Sequence, residues 1–140
     1  MDKNKIKITR KLLDSYRKMK KEIPILTAEL LEMQQGDNGF DNSVILNGSY
    51  YPPRSETVVG FNWEKYEHRK KILDSKKDKC KAVEWWIEEI EEGQIRCVFK
   101  MFYIEGMTWE KIARKTGYTG NPDYVRRHIR DKYLEKCKIK

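Results

Sequence analysis

From Trp63 to Glu91 the chain runs without a proline or glycine, and Tyr66, Leu73, Cys80 and Ile87 recur at every seventh position. An α-helix is the structure that gathers residues so spaced onto one side, so this segment predicts a long helix, with Asn62 as its N-terminal cap. Val83 and Ile90 complete an apolar seam in the second half, but Arg69 and Lys76 hold the equivalent places in the first. A continuous coiled coil is therefore not expected. The simpler partner for the seam lies within the chain, where Leu12, Tyr16, Met19 and Ile23 form a stripe at steps of four, three and four. The alternative use of the same seam is to pair two copies as a homodimer. Trp85 and Trp86 are adjacent and so point about 100° apart on a helix. One is expected inside, the other at the border of the C-terminal part.

Residues 6–22 read as one amphipathic helix that Pro24 interrupts, after which ILTAELLEM restarts as a short second helix ended by Gly36. Residues 36–62 mix Gly, Asn, Asp, Ser and Pro with short apolar patches of no helical period, which predicts a long loop with a brief extended piece at 43–46. The expected organisation is an N-terminal helical arm (1–35), a loop or linker (36–62), a connecting helix (63–92) and a C-terminal helical domain (93–140). The fold class is all-α. A charged share of 37% against a hydrophobic share of 39% fits helices with wide wetted faces.

Several functions are set aside by what the sequence contains. No apolar run approaches the roughly 18 to 20 residues of a membrane span, and MDKNKIKITRK lacks the apolar core of a signal peptide, so a soluble cytoplasmic protein without membrane partners is expected. Cys80, Cys97 and Cys137 are odd in number and widely spaced, which argues against a zinc site and for reduced thiols. There is no P-loop, nucleophile–base pair or carboxylate–histidine cluster, so neither an enzyme nor a cofactor is expected.

The charge is +8 overall, and its distribution is uneven. Residues 93–140 hold 12 Lys/Arg against 5 Asp/Glu, whereas the rest of the chain is nearly neutral. A basic surplus confined to one third of a chain is the footprint of a nucleic-acid-binding part, although basicity alone also fits a solubilising surface. Within it, Ile95, Val98, Phe99, Phe102 and Tyr103 predict a buried helix face that Gly106 ends. Thr108 then caps a helix with Trp109, Ile112 and Ala113 inward, and Gly117 ends that one. After the turn, Asn121 is read as a cap, Pro122 as the first helical residue and Asp123 as a first-turn acid.

At 100° per residue from Val125, Ile129 falls at about 40° and Tyr133 at about 80°, an arc that faces the core with His128 half-buried at its edge. Arg126, Arg127 and Arg130 fall between about 100° and 200°, with Tyr124 at about 260°. Three guanidinium groups and a tyrosine would then share the outward face. Arginines so placed can hold phosphates or bond guanine O6 and N7 in the major groove. The expected DNA contacts are Arg126, Arg127, Arg130 and Tyr124 on the 122–136 helix, with Lys115, Thr119 and Asn121 on backbone phosphates.

Two helices joined by a Gly-containing turn, the second basic and a third in support, make a helix-turn-helix. EGQIRCVFKMFYIEGMTWEKIARKTGYTGNPDYVRRHIRDKYL resembles region 4 of sigma-70-type factors and the related LuxR-type output domains. The likeness lies in Lys111-Ile112-Ala113 and in Val125 to Ile129. The turn GYTGNPDY departs from the pattern by about two extra residues. A wider likeness, over residues 58–137, is to small regulators of phages and prophages of Gram-positive bacteria, the RinA and ArpU class. That resemblance implies a transcription regulator of phage late genes in a bacterial host, with host RNA polymerase as a further partner. A DNA-binding packaging subunit and an adaptor that binds polymerase or another host protein are the competing expectations.

Overall fold

The computed structural model describes residues 6–40 and 62–140, with side chains described except at 36–40, so the extended piece expected at 43–46 lies outside the described residues. The described residues form helices and connecting turns with no strand among them, and the fold is all-α. The elements are α1 (Arg10–Phe40), α2 (Trp63–Glu88), α3 (Gly93–Phe99), α4 (Trp109–Thr116) and a terminal helix spanning 122–136. α3 continues as a π-helical turn, Lys100–Ile104, and the terminal helix has a π-helical centre, Val125–Asp131, between Pro122–Tyr124 and Lys132–Lys136. Among the described residues no helix is long and apolar enough to cross a membrane.

The contacts divide the chain into two units, Lys21–Lys76 and the remainder, Met1–Lys20 with Lys77–Lys140. In the first of these, Leu30 of α1 and Leu73 of α2 are buried. Charged pairs run antiparallel beside them: Glu22 with Lys76 at 3.0 Å and Glu29 with Arg69. The two basic residues that interrupt the apolar seam are thus the ones that face acids on α1. Asn62 caps α2 as its sequence predicts, its side-chain oxygen accepting from Lys65 N at 3.0 Å. Asn62→Ala should therefore lower the stability of this unit by about 1 kcal/mol, read as a lower midpoint in thermal unfolding followed by circular dichroism.

Pro24 does not end the helix, contrary to expectation: α1 runs through it and past Gly36 to Phe40. Proline removes one backbone bond, to the carbonyl of Lys20, but ion pairs at Glu22 and Glu29 hold the helix against α2 on both sides of it. Glycine disfavours a helix interior by only about 1 kcal/mol, too little to stop one by itself. α2 in turn ends at Glu88, three residues early. The chain turns there so that Ile90 is buried, and Arg96 Nη1 donates to its carbonyl at 2.7 Å.

In the larger unit, Leu13, Tyr16 and Met19 of α1 and Cys80, Val83 and Ile87 of α2 are buried. Leu13 takes the inward place that the periodicity gave to Leu12, which is half-buried. The Tyr16 hydroxyl donates to the Glu84 carboxylate, which also accepts from Lys20 Nζ at 2.9 Å. Burial, and then the bond to Glu84, pushes the Tyr16 hydroxyl well above the ordinary tyrosine range. Of the tryptophan pair, Trp86 turns inward, 5.7 Å from Phe99 and 6.0 Å from Tyr133 between ring centroids, while Trp85 is 60% exposed.

Candidate nucleic-acid interface

The local signals that place the C-terminal helices are backbone signals. Thr108 Oγ1 accepts from Lys111 N at 3.2 Å and starts α4. Gly117 ends it with φ +91°, a left-handed conformation that glycine adopts without strain. A tight turn follows, closed by Asn121 N donating to Tyr118 O at 2.8 Å, with Gly120 at φ +83° inside it. Pro122 opens the terminal helix as expected, but the Asn121 side chain makes no capping bond. The amide is left exposed in the turn beside Thr119.

Val98 of α3, Ile112 and Ala113 of α4, and Val125 and Ile129 of the terminal helix form one buried cluster. Ala113 is fully buried there, where a small side chain lets α4 and the terminal helix approach. Phe102 stacks on Trp109 at 4.1 Å at its edge. Phe99, fully buried, touches the rings of Trp86, Tyr103 and Tyr133 at 5.5 to 5.7 Å. The inward arc of Val125, Ile129 and Tyr133 is therefore as the periodicity predicts, and Leu134, which the periodicity passed over, is also buried.

Arg130 is not where the helical wheel put it. It is only 7% exposed, with Nη1 donating to the Tyr103 hydroxyl at 3.0 Å and Nε to Asp131 at 2.6 Å. Its guanidinium carbon lies 5.3 Å from the centroid of the Phe102 ring and 5.1 Å from that of Trp109. Asp131 also accepts from Arg10 Nη2 at 3.0 Å, so α1 joins the same cluster. The cause is the π-helical centre: bonding from residue i to i+5 sets residue 130 above residue 125, on the buried side, where a 100° step would have turned it outward. Burial pushes the Tyr103 hydroxyl above its usual range, against the pull of the Arg130 charge.

The other expected contacts remain on the surface. Arg127 is exposed and joins no ion pair among the described residues. Arg126 is half-buried and bonded through Nη2 to Asp123 at 3.0 Å. Thr119 and Asn121 are exposed in the turn, and Tyr124 is 38% exposed. Lys115 is exposed at the end of α4, but it lines a groove with Gln94, Cys97, Met101 and Glu105 of the preceding helical segment. His128 is exposed rather than half-buried, and its ring lies 4.8 Å from that of Tyr124. On the other side of the turn Tyr118 stacks on Tyr124, also at 4.8 Å. Neither neighbour is among the DNA contacts expected from sequence, where His128 reads as a half-buried packing residue; the i, i+4 spacing of Tyr124 and His128 is the available signal, and Tyr118 offers none.

This outward face offers cations, a hydroxyl, an amide and aromatic groups. Among the described residues no group of three or more His, Cys, Asp or Glu could hold a metal ion, and Cys80, Cys97 and Cys137 form no disulfide. No protein-family model matches the chain, and no curated protein or solved structure matches it.

Proposed function

We propose that the protein is a sequence-specific regulator that binds double-stranded DNA, with the 122–136 helix docked in the major groove as the second helix of a helix-turn-helix. The observation that carries this reading is the way that helix is seated. Val125 and Ile129 lie in the cluster with Val98, Ile112 and Ala113, so Asp123, Tyr124, Arg126 and Arg127 are turned outward. A short helix, a five-residue connection and a basic helix on a supporting helix are the parts such a docking uses. The basic surplus of residues 93–140 supplies the attraction to phosphate.

In this reading Arg127 is the principal base or phosphate contact, and Arg126, already paired with Asp123, is the secondary one. Thr119 and Asn121 hold phosphates from the turn, and Lys115 adds charge at the flank. The likeness to sigma-70 region 4 and to RinA and ArpU regulators supports a late promoter of a phage or prophage as the target, read in the cytoplasm of a bacterial host. It also supports contact with the host RNA polymerase. The activity is binding, with no catalytic step.

Salt dependence tests the groove docking. Three cations on phosphates (Lys115, Arg126 and Arg127) give an expected slope of log affinity against log salt of about −2.7, so duplex affinity should fall about 40-fold from 50 to 200 mM salt. A slope near zero would reject the docking and favour an adaptor that binds protein. Transcription with purified host polymerase then separates a regulator from a packaging subunit: a regulator changes output at the promoter it binds, and a packaging subunit leaves it unchanged.

A further inference from the structure

Tyr124 is the middle ring of three. Tyr118 comes from the turn before the terminal helix begins and stacks on Tyr124 at 4.8 Å with planes 26° apart. His128 lies one turn further along the helix, also at 4.8 Å and tilted by 33°. Tyr118 and His128 make no ring contact with each other among the described residues, so they flank Tyr124 rather than crowd one side of it. A ring approached in this way by two others is poorly placed to stack on a base or to wedge between base pairs. The residue is still 38% exposed.

An aromatic edge braced from both sides is rigid, apolar and costs little entropy to present. In the major groove the apolar group on a base edge is the 5-methyl of thymine, which aromatic and aliphatic side chains recognise by contact. Arg127 follows on the same outward face, exposed and without an ion-pair partner among the described residues, so phosphate attraction would bring this edge to the groove. We propose that Tyr124, held between Tyr118 and His128, is a specificity-determining residue that reads a thymine methyl group next to the contact made by Arg127. This rests on the DNA-binding reading above and adds to it the chemistry of one base position.

The test begins with selection of tight duplexes from a random pool by the full chain. In the best of them each thymine is replaced singly by deoxyuridine, which removes only the methyl group. At one position the replacement should weaken binding about fourfold, the effect of one buried methyl. With Tyr124→Ala, or Tyr124→Gln as a second removal variant, that thymine–uracil difference should vanish. Tyr124→Phe, which keeps the edge and the stack, should retain it, and Tyr118→Ala, which unbraces the ring, should reduce it. The proposal is overturned if no thymine is sensitive, if the difference persists in both removal variants, or if Tyr124→Phe loses it as they do. Salt-dependent duplex binding with no thymine effect would overturn this proposal alone, whereas absence of duplex binding would overturn the DNA-binding reading as well.

Discussion

Arg130→Ala should lower the unfolding free energy by about 3 kcal/mol in urea titration of the full chain, the largest stability effect expected of any arginine here. The substitution empties the space beside Phe102 and Trp109 and leaves the buried Tyr103 hydroxyl without its Arg130 partner. Asp131 keeps Arg10, which limits the loss. Lysine should not restore the stability, because an ammonium cannot lie flat against two rings while its donors reach both Tyr103 and Asp131. Arg127→Ala is the control, and being on the surface it should change stability by less than about 0.5 kcal/mol. Equal effects at Arg127 and Arg130 would mean that the buried guanidinium does not anchor the terminal helix.

The second large effect concerns affinity. Arg126→Ala combined with Arg127→Ala should weaken duplex binding about 100-fold at low salt and flatten the salt slope by about 1.8, both read by fluorescence anisotropy of a labelled duplex. The melting temperature should barely move, since the Arg126–Asp123 pair is an exposed i, i+3 contact of a few tenths of a kcal/mol. Of the single variants Arg127→Ala should lose more, because Arg126 is partly neutralised by Asp123 before any DNA arrives. Arg130→Ala should behave in the opposite way: affinity lost through unfolding, recovered at low temperature where the helix is again seated, and a salt slope left unchanged. If the double variant binds as the parent does, the outward face of the 122–136 helix is not the DNA contact.

These two predictions divide arginines that look alike in sequence. Arg126, Arg127 and Arg130 stand within five residues of one another, and a helical wheel of 100° steps puts all three outside. The wheel is right for the inward arc of Val125 and Ile129 and for exposed Arg127, and nearly so for half-buried Arg126. It fails at residue 130 because the wider π-helical turn advances less per residue, so that by then the position has lagged back toward the side of Val125. The same tertiary context accounts for α1, where proline at 24 reads locally as a break yet lies between two ion pairs that hold the helix through it.

By itself the sequence determined the all-helical class, the starts at Asn62 and Thr108, the stops at Gly106 and Gly117, and the inward places of Val125 and Ile129. Those features depend on apolar spacing, side-chain caps and glycine's access to positive φ, all of which act within a few residues. Only the tertiary structure decided that Arg130 closes a cluster with Tyr103, Trp109 and Arg10, and that Tyr118 from the turn braces Tyr124. In those places groups distant along the chain compete for the same buried space or meet across a turn. A guanidinium that can be solvated anywhere is drawn inside only where rings, a hydroxyl and a carboxylate are assembled around it.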